Sequence, residues 1–208
     1  MVPIRFLPRP LGLPALLAAG VILWGCAPAD PPAAAAPAPQ PAIPAAAWDS
    51  VAKGRSWSRT VVSALDTGPA ASLIDRVPRD AATFCPAFAD ADRQGRKAFW
   101  VGFLAELTRR ESTWREDVSG GSGRWHGLLQ ISPATAAGYG CPAPSEAALK
   151  DGANNLRCGL RIMGQTVARD GVIAEGGDGI AADWGPLARP APRAAIAAST
   201  RALPACQG

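Results

Sequence analysis

One glutamate in this sequence has the surroundings of a general acid. Glu111 continues a stripe of apolar residues that recur at helical spacing, namely Trp100, Leu104 and Leu107. It is therefore expected to face a core or a cleft, close to a helix C-terminus, where the macrodipole is negative. Desolvation and the dipole both raise the pKa of a carboxyl group such as Glu111. A carboxyl that stays protonated near neutral pH can donate a proton to a glycosidic oxygen.

The same glutamate also fits a structural interpretation. Arg109, Arg110 and Arg115 lie close to it in sequence, and any of the three could pair with its carboxylate. A salt bridge at the helix end would keep Glu111 charged and would leave no acid for catalysis.

The other chemistry-bearing residues exclude several classes of function. His126 is the single histidine, which argues against a multi-histidine metal site and against any histidine-based triad that does not use it. With no residue nearby to orient it, His126 is expected to be exposed or to contact a sugar. No metal or cofactor is expected. The formal charge of +4, without a basic cluster interleaved with aromatics, argues against nucleic-acid binding.

The N-terminal residues 1–25 have the pattern of an export signal. Arg5 and Arg9 precede an apolar run that is too short to span a bilayer. Leu23-Trp24-Gly25-Cys26 resembles the bacterial lipobox, which implies lipidation of Cys26 and anchoring at the periplasmic face of a membrane, with the outer membrane favoured. The alternative is cleavage after Ala29, which would leave a soluble periplasmic protein.

Residues 26–47 are almost entirely alanine and proline after the cysteine. Such a segment cannot form a helix or a core and is expected to be an extended, semi-rigid tether. Four cysteines follow it, in an oxidising compartment and without a zinc-type spacing, so two disulfides are expected. Of the three possible connectivities, Cys141–Cys158 and Cys85–Cys206 are favoured, because the first closes a local loop and the second ties the ends of the domain together.

The folded part of the chain is predicted to be mainly α-helical. Residues 48–83 are expected to form a peripheral helical segment in front of a catalytic domain at 84–208. Within that domain, helices are predicted at 91–111, from Ser132-Pro133 onwards, at 151–170 with Gly171 as the stop, and at 192–202. The turn-rich residues 119–130 leave room for at most a small β-excursion.

Three short motifs follow one another in this domain. They are Glu111-Ser112-x-Trp114, then Gly127-Leu128-Leu129-Gln130-Ile131-Ser132 with Tyr139-Gly140 after it, and finally Asn155-Leu156-x-x-Gly159. In this order they resemble the transglycosylase SLT family of the goose-type lysozyme-like superfamily, over roughly residues 84–186. The resemblance implies a lysozyme-like α-helical domain that acts on peptidoglycan.

The resemblance also implies a mechanism with one carboxyl group. Glu111 would protonate the oxygen between N-acetylmuramic acid and N-acetylglucosamine, while the substrate acetamido group stabilises the sugar cation. The carboxylate would then take a proton from the C6 hydroxyl and so form a 1,6-anhydro ring. Two alternatives stay open: a hydrolytic muramidase that uses Asp117 or Asp183 to supply water, and a peptidoglycan-binding lipoprotein without activity.

By the same resemblance, several residues are expected at the substrate. Ser112 would help position the glycan or the cation, and Gln130 with the backbone of residues 127–129 would line the cleft wall. Gly127 would permit close approach of the sugar. For the side chains of Leu128, Leu129 and Ile131, packing in the core is favoured over direct contact.

One departure from the family concerns its tyrosine, which hydrogen-bonds the catalytic glutamate. The comparable segment here reads Ala181-Ala182-Asp183-Trp184-Gly185-Pro186. Trp184 could offer its indole N–H or an apolar wall, or could pack in the core, and Tyr139 could replace the missing group from elsewhere. Trp114 and Trp125 could stack on sugar rings or be structural.

Overall fold

The computed structural model describes residues 42–207. The predicted export signal, Cys26 and most of the tether lie outside the described residues. The described end of the tether, residues 42–46, has no regular secondary structure. Among the described residues, no helix has the length and apolar character that crossing a membrane requires.

The longest helix, α4 (Arg93–Ser112), carries the predicted stripe and runs through the core. Asp92 caps its start by accepting a hydrogen bond from the Gly95 backbone N–H at 2.7 Å. Thr113, in the left-handed conformation with φ 54°, ends it. The sequence predicted one apolar face, whereas every residue from 99 to 108 is buried. The reason is that helices from both ends of the chain pack around α4.

The segment predicted to be peripheral is part of the same core. Trp48 is fully buried, stacks edge-to-face on Trp57 with ring centroids 5.8 Å apart, and donates a hydrogen bond to Ser58 Oγ at 2.8 Å. Its helix α1 (Gly54–Ala64) packs against α4 and against α7 (Gly152–Asp170). The prediction of a peripheral element at 48–83 is therefore wrong, because amphipathicity shows that a face is buried but not which partner covers it.

Helix α7 follows the predicted boundaries closely. Asp151 caps its first turn through the Asn154 N–H at 2.8 Å, and Gly171 ends it with φ 71°. Gly164 lets the chain at residues 68–71 approach closely, since a Cβ there would lie 2.1 Å from the Pro69 carbonyl oxygen. These contacts join α7 to the N-terminal part of the domain.

Apart from α9, the remaining elements are short. The other helices are α2 (Ser72–Asp75), α3 (Ala81–Phe84), α5 (Pro133–Gly138), α6 (Glu146–Leu149), α8 (Gly185–Ala188) and α9 (Pro190–Arg201). Short 3-10 helices occupy Ala47–Ser50, Gly68–Ala71, Pro86–Phe88, Glu175–Gly177, Gly179–Ala182 and Pro204–Cys206. One antiparallel hairpin joins β1 (Ser119–Gly120) to β2 (Trp125–His126), with Ser119 opposite His126. The mainly α, lysozyme-like fold class with a small β-excursion is confirmed.

Both favoured disulfides are present. Cys85–Cys206 joins residues 121 positions apart and ties the end of α3 to the C-terminal 3-10 helix. Cys141–Cys158 spans 17 positions and ties the loop after α5 to α7. The first bond closes the part of the domain from α3 to the last 3-10 helix into a long loop, and the second closes only a local segment.

The two disulfides should differ in how much they stabilise the fold. In the loop-entropy model, removing the short loop closure at Cys141–Cys158 costs about 3 kcal/mol and removing the long one costs about 5 kcal/mol. Urea unfolding of the double alanine variants Cys141→Ala/Cys158→Ala and Cys85→Ala/Cys206→Ala measures both. A larger loss from the short loop would contradict this ordering.

Candidate active site

A cleft of about 490 Å³ opens beside the C-terminal end of α4. Three parts of the chain form it: the end of α4, the β-hairpin together with Gln130 from the loop after it, and the segment around α8. The lining residues are Arg110, Glu111, Gly120, Gly121, Trp125, Gln130, Asp183, Trp184, Gly185, Pro186 and Arg189. The cleft thus brings together residues that are far apart in sequence.

Glu111 is the most perturbed carboxyl group of the cleft. Burial raises its pKa from 4.5 to about 7, and the nearby positive charge of Arg189 opposes that rise only in part. Its Oε1 atom is buried and has no hydrogen-bond partner among residues 42–207. A carboxyl in this state carries a proton for much of the time near neutral pH and is ready to donate it.

The salt-bridge alternative for Glu111 does not hold, because Arg109 and Arg110 form their salt bridges with another glutamate. Glu106, one turn earlier on α4, accepts from Arg110 at 2.7 Å and from Arg109 at 2.8 Å. Burial by itself would raise the pKa of Glu106, but these two guanidinium groups hold it below its usual value. Arg115 donates instead to the Ser112 carbonyl oxygen. Glu111 is thereby left without a cationic hydrogen-bond partner.

The hairpin supplies an aromatic surface at the cleft. Trp125 is 42% exposed, and the guanidinium of Arg124 lies 4.8 Å from its ring centroid. Gly121 is required beside it, since a Cβ there would lie 2.3 Å from the ring. An exposed indole face next to a carboxylic acid can stack on the apolar face of a pyranose. Trp125 therefore lines the cleft, which is the position that the stacking role considered for it requires.

Gln130 is held at the cleft wall by its own loop. Its backbone adopts φ 50°, and its amide Nε2 donates to the Gly127 carbonyl oxygen at 2.8 Å. A Cβ at Gly120 would lie 2.3 Å from the Gln130 Oε1 atom, so the hairpin can approach this closely only with glycine. Gln130 lines the cleft as predicted.

Trp184 lines the cleft with its ring rather than with its N–H. The side chain is 4% exposed, and Nε1 donates to the Leu129 carbonyl oxygen at 2.9 Å. The indole N–H is therefore not offered to Glu111, and Trp184 is at once a residue of the hydrophobic core and part of the cleft lining. Tyr139 donates to Asp183 Oδ2 at 2.9 Å and has no hydrogen bond to Glu111, so it does not replace the family tyrosine.

Five residues expected at the substrate are instead structural. Ser112 is buried and donates to the Thr108 carbonyl oxygen at 3.2 Å. Trp114 packs against the core and donates to the Ala105 carbonyl oxygen at 2.8 Å. The other three are the buried Gly127, Leu128 and Leu129. Predictions of direct substrate contact for these five are not supported, because none of them lines the cleft.

His126 is also structural. It is 1% exposed, and its Nδ1 lies 2.9 Å from Ser119 Oγ across the hairpin. The expectation of an exposed or sugar-contacting histidine is therefore wrong, because the pairing of β1 with β2 supplies the polar partner that the local sequence did not reveal.

Asn155 explains why the second and third motifs occur together. Its buried amide donates to the His126 and Leu149 carbonyl oxygens at 2.9 and 2.8 Å and accepts from the Leu129 N–H at 2.8 Å. Gly127 allows this contact, since a Cβ there would lie 2.5 Å from Asn155 Nδ2. A Cβ at Gly159 would in turn lie 2.1 Å from a Leu129 methyl group. The two motifs thus pack against each other and fix the cleft wall. We call the three hydrogen bonds of the Asn155 amide the Asn155 clamp.

The sequence analysis missed two contributors to the cleft, Arg189 and the pair Gly120–Gly121. Arg189 directly precedes Pro190, which marks an extended junction between helices. No residue near Arg189 in the sequence indicates that its side chain lies close to Glu111. The glycines lie within the segment predicted to be turn-rich, but their contacts depend on the side chains of Gln130 and Trp125, which the fold brings back against them.

Three solved structures resemble this chain along most of its length. All are of Bd0314 DslA: a glutamate-to-glutamine mutant (34% identity, TM-score 0.69, 81% of this chain and 100% of that one), the wild-type form 2 (33%, 0.69, 79% and 99%) and a mutant with a different glutamate replaced by glutamine (34%, 0.68, 81% and 100%). No protein-family model matches the sequence, and no curated protein matches it significantly.

The Asn155 clamp should be a large contributor to stability. Asn155→Ala leaves the buried Leu129 N–H and Leu149 carbonyl oxygen without partners, whereas the His126 carbonyl oxygen still accepts from the Ile131 N–H. Each unpaired group costs about 1–3 kcal/mol, so the free energy of unfolding should fall by at least about 2 kcal/mol. The neighbouring Asn154→Ala is the matched control, because its side chain makes one long contact, with Arg157 at 3.5 Å. Similar urea midpoints for the two variants would contradict the clamp.

The raised pKa of Glu111 should also appear in stability measurements. Since the pKa is higher in the folded state, the stability linked to the proton is fully present below about pH 4.5 and is lost as the pH rises through about 7. Glu111→Gln does not titrate, so its stability relative to wild type should improve by about 3 kcal/mol between about pH 4 and pH 8. A difference that stays constant with pH would contradict the assignment.

Proposed function

Because this chain belongs to the same family as Bd0314 DslA, we propose that it is an enzyme that cleaves the glycan strands of peptidoglycan. The observation that carries the proposal is Glu111: a carboxyl group in a cleft, with its pKa raised to about 7 by burial and without a cationic hydrogen-bond partner. Two of the DslA structures contain a glutamate-to-glutamine replacement. That change removes a proton donor while it preserves side-chain shape, which supports a glutamate as the acid in this family.

The proposed reaction is that of a lytic transglycosylase. Glu111 donates its proton to the oxygen between N-acetylmuramic acid and N-acetylglucosamine, and the bond from that oxygen to the sugar C1 breaks. The substrate acetamido oxygen stabilises the cation at C1. The Glu111 carboxylate then accepts the proton of the C6 hydroxyl, whose oxygen bonds to C1, so the 1,6-anhydro product forms and the acid is regenerated.

The cleft fits both steps of this sequence. The apolar wall of Trp184 and Pro186 lies in the same cleft as Glu111, and a less polar surrounding favours the protonated form needed first. In the empty cleft, the positive charge of Arg189 limits the rise of the Glu111 pKa, so that the carboxyl group is not locked in its protonated form. One side chain can therefore serve first as acid and then as base, without a second carboxyl group.

A hydrolytic muramidase is the second candidate, and one observation favours it. Asp183 lines the same cleft and is exposed, so it could activate a water molecule. Asp117, the other acid considered for this role, does not line the cleft. Hydrolysis would leave a reducing end on the glycan instead of an anhydro ring.

We further propose that the enzyme acts on peptidoglycan in the periplasm from a lipid anchor at Cys26. This proposal rests on the lipobox-like residues 23–26 and on the Ala/Pro-rich tether. An extended tether would let the cleft reach the wall while the anchor stays in the membrane.

Replacing Glu111 by glutamine should abolish cleavage while folding and glycan binding persist. Glutamine can neither donate the first proton nor accept the second, so the rate should fall by at least 10²–10⁴-fold. Glu175→Gln is a charge-matched control on the exposed surface and should leave the rate unchanged. The proposal fails if Glu111→Gln keeps more than about a tenth of the wild-type rate.

Mass spectrometry of the same digests separates the candidate functions. Anhydro-muropeptides indicate a transglycosylase, reducing ends indicate a muramidase, and no product indicates a binding protein. Asp183→Asn adds a second test, since a muramidase that uses Asp183 loses turnover, whereas a transglycosylase retains it.

A further inference from the structure

Arg189 is a charged residue of the cleft whose charge lacks a partner. Among residues 42–207 it forms no salt bridge, and its one hydrogen bond runs from Nε to the Gly185 carbonyl oxygen at 3.3 Å. The other lining arginine, Arg110, is paired with Glu106 at 2.7 Å. The terminal nitrogens of Arg189 are therefore available to a ligand in the cleft.

The backbone fixes the point from which the Arg189 side chain starts. Arg189 lies at the junction of α8 and α9 with φ −93° and ψ 132°. The following Pro190 restricts it to such an extended conformation, and its own N–H bonds to the Gly185 carbonyl oxygen at 3.2 Å. A side chain held at such a junction can bind a group with little loss of backbone freedom.

The charges around Glu111 define what the cleft attracts. The charged or titratable side chains that share the cleft with it are Arg110, Asp183 and Arg189. Arg110 is compensated by Glu106, and Asp183 is already engaged by the Tyr139 hydroxyl. When Glu111 is protonated, Arg189 is thus the charged side chain of the cleft that has no partner. Its positive charge attracts an anionic group of a ligand.

We propose that Arg189 binds a carboxylate of the glycan substrate and makes the enzyme selective for acidic over neutral β-1,4-linked strands. The inference rests on the proposed function and names a specificity residue for it. The planar fork of a guanidinium matches the two oxygens of a carboxylate. Peptidoglycan offers such a group in the lactyl ether of its muramic acid and in its stem peptides, whereas a strand of N-acetylglucosamine alone has none.

Binding of a carboxylate at Arg189 also has a consequence for the acid. The charge of Arg189 favours ionised Glu111 in the empty cleft. A bound carboxylate offsets that charge, so Glu111 holds its proton more firmly once an acidic substrate is in place. An acidic substrate would in this way favour the form of the enzyme that can cleave it.

The test compares binding in a background that cannot turn over. Glu111→Gln and Glu111→Gln/Arg189→Gln, both as the full chain, are titrated calorimetrically with three ligands of equal length: peptide-free muramic acid-containing strands, strands with stem peptides, and N-acetylglucosamine oligomers. Loss of one charge-assisted contact should weaken binding of acidic strands about tenfold or more and leave the neutral oligomers unaffected. Arg189→Lys in the same background should restore part of the affinity.

Arg201→Gln, at the other end of α9, removes the same charge away from the cleft and should change none of these affinities. A tenfold loss with peptide-free strands assigns the lactyl carboxylate, and a loss only with stem peptides assigns the peptide. Equal loss for acidic and neutral ligands, or no loss for either, overturns the proposal. If wild-type protein cleaves nothing while the acidic preference still depends on Arg189, the proposed cleavage fails and the binding role stands.

Discussion

The buried side-chain amide of Asn155 is the interaction on which the candidate site depends. It satisfies the Leu129 N–H and the carbonyl oxygens of His126 and Leu149, none of which has access to water. An unpaired buried backbone group costs about 1–3 kcal/mol, so one side chain here prevents a large penalty. With Leu129 fixed, its carbonyl oxygen holds the Trp184 indole at 2.9 Å, and that ring forms part of the wall beside Glu111. The position of the cleft wall thus depends on a buried contact between residues that do not themselves line the cleft.

A division of roles between two glutamates of α4 sets the electrostatics. Glu106 and Glu111 lie little more than one turn apart, and both are largely withdrawn from water, yet their pKa values move in opposite directions. Glu106 gains two guanidinium partners and stays ionised, whereas Glu111 gains none and tends to stay protonated. By taking up Arg109 and Arg110, Glu106 keeps these cations from pairing with Glu111. A structural salt bridge therefore protects the reactive state of the neighbouring acid.

The hydrogen bond of Trp184 bears on how the pKa of Glu111 is set. A tyrosine hydroxyl would give the glutamate a hydrogen-bond partner, but here Trp184 uses its N–H on Leu129 and turns an apolar ring to the cleft. Glu111 Oε1 accordingly has no partner among residues 42–207, and desolvation is the main cause of its raised pKa. Burial thus raises the pKa of Glu111, and the positive charge of Arg189 limits this rise. This balance leaves the carboxyl group able to give up a proton and to take one back.

Local patterns in the sequence predicted the helical class, the approximate bounds of α4 and α7, Gly171 as the end of α7 and a small β-excursion, because these depend on periodicity and turn chemistry within a few residues. The apolar stripe marked Glu111 as withdrawn from water, and the family resemblance then singled it out as the candidate acid. The sequence also favoured the disulfide pairs that the structure contains. Only the tertiary structure decided which motif residues face the cleft: Trp125, Gln130 and Trp184 do, whereas Ser112, Trp114 and Gly127 support it from behind. It also brought Arg189 beside Glu111 and placed residues 48–83 in the core. The physical reason is that the spacing of apolar residues shows only that a side chain is buried. The residues that bury it come from distant segments of the chain, and local sequence does not identify them.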